Sequence, residues 1–444
     1  MHSKKEIENL QNTIKIILEE GNKANATAIE AGISISSGLQ TTVRLGQVET
    51  MEFTRDKSLG ITLYKGHKKG SVSLSDLSIE AIRSSIQAAC RIAEYTEEDI
   101  YAGLAEKSLM AKEIPDLQLY HPYTITPEDA IELAKTCEAE GLAADSKITN
   151  SEGGHFAKYE STYAYGNSHG FLAGYQTTRY SMSCSLIAES QNGMQTDSEY
   201  TLSREYGNLW DAKTVGQQAA FKTIQKLDAR KIPTCQTPVI FAPQMARGLL
   251  RSFIAAISGG NLYRKSSFLL DSLHQAIFPH WVNITEDSHL LRGLGSAPFD
   301  EEGVATRKRN IVKAGVVESY VLSSYSARKL GMQTTGNAGG IHNVMVEPSE
   351  AVDLNQLLIK MDTGLLVTDL MGQGVNIVTG DYSRGAAGFW VEKGIIQFPV
   401  QEITIAGNLR DMFKNLIAIG ADVDTRGNIL TGSMLLEEMT VAGI

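Results

Sequence analysis

Cysteine is scarce in this chain: Cys90, Cys137, Cys184 and Cys235 are the only four in 444 residues. They lie far apart and form no CxxC, which excludes a dense disulfide framework and fits reduced thiols in a cytoplasm. Long apolar runs are missing as well. Nothing approaches the roughly 18 consecutive apolar residues of a bilayer span. The first stretch, MHSKKEIENLQNTIKIILEEG, is charged and helical in period and has no signal-type apolar block. The expectation is a soluble, unsecreted, cytoplasmic protein. Positive charge is in deficit: 41 Lys and Arg against 51 Asp and Glu leave a net −10, a poor basis for gripping a nucleic-acid backbone. The basic runs His67-Lys68-Lys69 and Arg307-Lys308-Arg309 are short and read as solvated hairpin turns. Metal-ligand spacing is also absent. The nine histidines give neither HExxH nor HxxxH. His274 and His280 are separated by Phe278-Pro279, so they share no helical face, and His289 sits in the acidic stretch ITEDSHL. The three read as a chance cluster.

What is present is ordinary for a folded enzyme-sized chain. Hydrophobic residues make up 42% and charged residues 21%, enough for a real core, and the length suggests two or three domains. Ile7, Leu10, Ile14 and Ile17 recur at helical steps over residues 4–20. From about 25 to 74 the pattern alternates and is broken by glycine, as in a strand meander. Ile79, Ile82, Ile86, Ala89 and Ala93 then mark a helix, and 97–122 is irregular. The order recurs. Thr126-Pro127-Glu128-Asp129 is a helix start, with a capping hydroxyl, proline at the first position and acids in the first turn. That helix runs to about Ala144, strands fill 147–202, and a helix covers about 208–228. The fold class read from this is α+β. An N-terminal domain, 1–233, holds helix–β-meander–helix units at about 1–100 and 120–233, in the order of a duplication although the copies share no visible identity. A C-terminal domain, 234–444, is mainly antiparallel β, curled or barrel-like, with helices near 244–257, 323–330 and 354–361. WVEKGIIQFPV reads as a hairpin turning at Lys393-Gly394.

Three motifs invite a functional reading. Gly166-Asn167-Ser168-His169-Gly170 matches GxSxG, but a nucleophile elbow needs a helix after it, and the alternating FLAGYQTTRYSMSCSL follows, so a hairpin turn is expected. Gly336-Asn337-Ala338-Gly339-Gly340-Ile341-His342-Asn343 is the densest glycine loop. A phosphate cradle would need a helix next, whereas VMVEP is extended; the open alternatives are a tight structural loop and a cleft lining in which His342 and Asn343 offer polar groups. Around Gly380–Trp390, Arg384 is placed either to clamp a peptide carboxylate or to pair with Asp381. The candidate cavity residues are therefore Gly336, Asn337, Gly339, Gly340, His342, Asn343, Asp381 and Arg384, and no catalytic residue is assigned.

YRKSSFLLDSLHQAIFP (263–279), FDEEGVATRKRNIVKAGVVESYVLSSYSARKLG (299–331), TTGNAGGIHN (334–343) and TGDYSRGAAGFWVEKGIIQFPVQEITIAGNL (379–409) resemble the TldD/PmbA metallopeptidase family, and its PmbA (TldE) branch in particular. The likeness runs through nearly all of 238–444; the N-terminal half fits more loosely, through NSHGF (167–171). The resemblance implies a two-subunit assembly in which the TldD branch carries a zinc-binding HExxxH helix after a strand and a proline turn. In this chain that helix is GLLRSFIAAISGG (248–260). Arg251 and Ser252 stand where His-Glu would be, and Ala256 where the second His would be; arginine has no acceptor and alanine nothing to coordinate with. The Cys ligand that the TldD branch supplies near its C-terminus has no counterpart in ILTGSMLL (429–436). The resemblance thus implies no cofactor in this chain and zinc in a TldD-type partner, where it would polarise the scissile carbonyl and activate water. This chain would be the pseudoenzyme half of a cavity that admits unfolded or short peptides. The other readings are an independent hydrolase centred on His342 with Asp381 or Ser383, a non-enzymatic modulator of DNA gyrase function (an old label of the family), and a homodimer.

Overall fold

The computed structural model describes residues 2–349 and 352–443. In the N-terminal half, helix α1 (His2–Lys23) leads into strands β1 (Ala28–Arg44), β2 (Gln47–Lys65) and β3 (Lys68–Leu74) and helix α2 (Ile79–Tyr95). The same order follows as α3 (Pro127–Ala143), β4 (Ile148–Asn167), β5 (Leu172–Ser190), β6 (Gly193–Ser203) and α4 (Ala212–Gln225). The capping box foreseen at Thr126 is formed: its hydroxyl accepts from the Asp129 N–H, and the Asp129 carboxylate accepts from the Thr126 N–H. All six strands join one antiparallel sheet in the order β3-β2-β1-β4-β5-β6, so the two meanders meet along β1 and β4.

The strands bury alternate residues because helices cover one face. Leu10, Ile14 and Ile17 of α1 and Ile82, Ile86 and Ala89 of α2 pack on Ile29, Ile33, Leu59 and Ile61. Ala134 and Cys137 of α3 and Val215 and Ala219 of α4 pack on Val43, Phe156, Met182 and Leu186. The helices lie close to the sheet: at Gly154 in β4 a Cβ would come within 2.1 Å of the Ala134 carbonyl oxygen, so α3 can rest on the strand only where it lacks a side chain. The opposite face carries Tyr159, Ser161, Tyr163 and Tyr165 at every second position of β4.

The C-terminal half begins with β7 (Cys235–Phe241), α5 (Pro243–Ala256) and α6 (Gly259–Tyr263). Then come β8 (Ile284–Asp287), β9 (Arg309–Lys313), β10 (Val316–Val317), α7 (Ser324–Lys329) and β11 (Asn343–Val346). The chain continues through α8 (Leu354–Met361), β12 (Gly364–Met371), β13 (Asp381–Glu392), β14 (Ile395–Asn408) and α9 (Leu409–Lys414), and ends in β15 (Leu416–Ile419), β16 (Ile429–Leu430) and β17 (Met434–Ala442). Five strands close on themselves: β14 pairs with β13 and with β17, while β12, β7 and β17 complete the ring. The barrel-like expectation holds, with the parallel pair β7–β12 inside an otherwise antiparallel ring. A smaller sheet runs β10-β9-β8-β11-β16. The helices α6 and α9, of five and six residues, escape a periodicity reading because neither completes two turns.

One sequence expectation fails here. His67-Lys68-Lys69 does sit at the β2–β3 hairpin, but Arg307-Lys308-Arg309 is no solvated turn. Arg309 opens β9 with its side chain 9% exposed, and its Nε lies 2.7 Å from a carboxylate oxygen of Glu286, whose side chain is 1% exposed. The buried counter-charge on the neighbouring strand β8 draws this one arginine of the run inward.

Candidate functional site

A strand, a proline turn and a helix stand at the stretch to which the family resemblance assigns the zinc motif of the TldD branch. Pro243 is the first residue of α5 after β7. Arg251 is exposed; Ser252 donates its hydroxyl to the Gly248 carbonyl at 3.1 Å, one turn back. Phe253, Ile254 and Ala256 are buried in the main C-terminal core, and the Phe253 ring meets those of Phe278 and Phe413 edge-on at 5.0 and 5.8 Å. Near the C-terminus the Ser433 hydroxyl donates to Asp422. Among the described residues no group of three or more His, Cys, Asp or Glu side chains gathers in metal-holding geometry. The residues of α5, which include no His, Cys, Asp or Glu, do not fit a metal.

The glycine-rich loop is held from beneath by a buried polar cluster. Asn337 donates to Glu286 at 2.9 Å and to the Gly340 carbonyl at 3.0 Å, and accepts from Arg309 at 2.8 Å and Thr335 at 2.7 Å. Glu286 also accepts from the His342 N–H at 2.7 Å. Asn343 accepts from the Gly295 N–H and donates to Ser296 and to the Asp287 carbonyl. With every polar atom of this base engaged, the loop keeps one shape. Gly339 and Gly340, at φ 91° and 118°, adopt backbone that side-chain-bearing residues rarely take.

The loop's outer surface faces a cavity of about 330 Å³ between the C-terminal half and the open face of the N-terminal sheet. Ser161, Tyr163, Tyr175 and Thr177 form the sheet wall; Phe299, Asp300 and Glu301 and the backbone from Ala338 to His342 form the other. Tyr163, Tyr175 and Phe299 pack as one aromatic group, with centroids 5.5 to 6.2 Å apart. Of the residues nominated from sequence, Gly339, Gly340 and His342 line this cavity. Gly336 lines a neighbouring one of about 600 Å³. Asn337 and Asn343 are buried supports. Asp381 and Arg384 lie apart on β13: the Asp381 carboxylate is engaged by Thr379 and Asn408, and Arg384 Nε reaches the Met371 carbonyl at 3.4 Å, not Asp381.

The His342-centred hydrolase is not assembled. The ring is buried, with Nδ1 facing the Gly295 carbonyl at 3.2 Å and Nε2 facing the Gly336 carbonyl at 3.1 Å. Neither nitrogen is left to activate a nucleophile, and neither Asp381 nor Ser383 is among its partners. Ser168 is likewise a turn residue: its hydroxyl accepts from the Ile29 N–H at 3.1 Å.

Asp300 organises the wall. One oxygen accepts from the Glu302 and Val304 N–H groups and the other from the Ala338 N–H. Burial, reinforced by the neighbouring Glu302 carboxylate, pushes its pKa from 3.8 up to about 7, while the three N–H groups pull the other way. Between those values the folded protein holds a proton that the unfolded chain has released. Its contribution to stability therefore falls as pH rises from about 4 to about 7. Urea unfolding of the wild type and Asp300→Asn across that range is expected to show the wild type losing ground relative to the variant as pH rises.

Sequence reasoning missed Tyr163, Tyr175, Asp300 and Glu301. A signal existed in KYESTYAYGN (158–167): tyrosine and serine on every second residue mark a sheet face that is neither apolar core nor plain surface.

A larger cavity, about 870 Å³, lies between β6, α4 and the start of α5. Its charges are mutually satisfied. Arg426 stacks over Tyr200 and Trp210 at 4.5 and 5.2 Å and pairs with Glu199 and Asp424, Asp424 also pairs with Arg247, and Lys222 pairs with Glu199. The network straps the two halves together.

Comparison with known proteins gives consistent matches. The family models for the PmbA/TldA metallopeptidase domain 1, central domain and C-terminal domain match residues 29–93, 120–227 and 234–443. A Haemophilus influenzae protein named metalloprotease PmbA homolog is 50% identical over 98% of this chain and 96% of its own. The crystal structure of a putative modulator of DNA gyrase from Bacteroides thetaiotaomicron superposes with a TM-score of 0.92 at 27% identity, covering 98% of both chains. TldE from Thermococcus kodakarensis has the same fold, with a TM-score of 0.85 at 20% identity over 97% of this chain and 100% of its own.

Proposed function

Because the chain belongs to the PmbA/TldD metallopeptidase family, we propose that it is the non-catalytic, PmbA/TldE-type half of a two-subunit peptidase. Zinc and hydrolysis reside in a TldD-type partner. The observation that carries this reading is α5. It keeps the strand, proline turn and helix, yet offers Arg251, Ser252 and Ala256 where ligands would stand, and its remaining side chains fill the core. In this reading the chain supplies walls of a compartment for unfolded or short peptides. The cavity between the sheet face and the glycine-rich loop suits that role, with aromatic surface, exposed loop backbone and few rigid polar demands.

The gyrase-modulator wording belongs to the solved relative; for this chain, the net charge of −10 speaks against a direct hold on DNA. An effect on gyrase would run through the degradation of some other protein. The assembly is tested by size-exclusion of this chain mixed at micromolar concentration with a TldD-type protein. Co-elution as one species is expected. Separate elution of both, with this chain self-associated, would favour the homodimer and sink the reading.

A further inference from the structure

The cavity wall carries groups that the fold itself does not use. Among the described residues, the hydroxyls of Tyr163 and Tyr175 have no hydrogen-bond partner, although both tyrosines are partly buried and burial raises both of their pKa values. The Glu301 carboxylate likewise has no ion pair or hydrogen bond among the described residues, and its stem is packed against Gly339. Asp300 stands beside it on the same wall. Among the described residues no lysine or arginine lines this cavity, whereas in the larger cavity Asp197 and Asp369 pair with Lys226, and Asp424 with Arg247 and Arg426.

Aromatic faces next to an unpaired carboxylate attract a positive charge twice over. The ring quadrupole draws a cation to its face, and the carboxylate neutralises it. The tyrosine hydroxyls add acceptors for an ammonium or guanidinium N–H. We propose that this cavity is a subsite for a basic side chain, lysine or arginine, of a peptide lying between the sheet face and the glycine-rich loop. Tyr163 and Tyr175 supply the aromatic wall and Glu301 the counter-charge. The inference rests on the reading of this chain as a peptide-handling subunit and names the peptide chemistry that it favours. It also gives a use to the carboxyl of Asp300: a bound cation offsets the cost of its ionisation.

The test is calorimetric titration of the isolated chain with acetyl-Gly-Lys-Gly-amide and with the same peptide carrying norleucine, which keeps the length and loses the charge. The lysine peptide is expected to bind about tenfold more tightly. Glu301→Gln should remove most of that preference and leave the norleucine peptide unaffected. Tyr175→Leu should weaken the lysine peptide about threefold to tenfold. Glu301 is exposed, so its replacement leaves folding intact, and an unchanged thermal midpoint verifies this. Equal binding of the two peptides, no binding of either, or a lysine preference that survives Glu301→Gln would each overturn the subsite. The readout needs no partner. A lysine preference together with an inactive mixture of subunits would keep the subsite and remove the proposed function; an active mixture without the preference would do the reverse.

Discussion

Arg309→Ala is expected to lower folding stability by about 3–5 kcal/mol, because it leaves the Glu286 carboxylate buried without its cation. The cost arises from the stranded charge more than from the lost attraction. Replacing both partners, Arg309→Met with Glu286→Leu, should therefore be much less damaging than Arg309→Ala alone. The double change still strips two hydrogen bonds from Asn337 and one from the His342 N–H. Its signature is thus a loosened glycine-rich loop in an otherwise stable protein. Urea midpoints give the stability order, and amide exchange across residues 334–343 reports the loop. A single variant as stable as the wild type would mean that the cluster does not hold the loop.

Phe253→Ala should also cost about 3–5 kcal/mol, the usual range for emptying a packed aromatic site. Its ring touches Phe278 and Phe413 and is fully buried. One and two positions earlier on the same helix, Ser252→Ala and Arg251→Ala should stay within about 0.5 kcal/mol of the wild type. The contrast matters for function. In the proposed function Arg251 and Ser252 stand at the positions of the TldD branch's histidine and glutamate, and α5 in this chain packs through the side facing the core. If Arg251→Ala or Ser252→Ala abolished the activity of an assembled complex without loss of stability, α5 would have a catalytic part that its packing does not suggest.

Much of this architecture was legible in the sequence, because each half of the N-terminal sheet repeats the same switch from helical to alternating period. That Phe253, Ile254 and Ala256 are packing residues was legible too, because their side chains are apolar and the helix follows a core strand. Arg309 was not, since three consecutive basic residues look the same in a solvated turn as in a strand start, and Glu286 lies on a different strand. The cleft wall was missed for a related reason. Tyr163 and Tyr175 alternate with buried residues as any strand does, and only the folded chain brings Glu301 and the glycine-rich loop over that face. His342 misled in the opposite direction: a histidine in a glycine-rich loop suggests chemistry, whereas its ring lies between the Gly295 and Gly336 carbonyls.

The central claim, that this chain supports a catalytic site it does not contain, is tested most directly by one paired measurement. Zinc content and hydrolysis of an unfolded polypeptide are determined for this chain alone, for a TldD-type partner alone and for the mixture. The account predicts no stoichiometric zinc and no turnover for this chain alone, with turnover in the mixture well above that of the partner by itself. Zinc bound at one equivalent, or hydrolysis by the isolated chain, would contradict it.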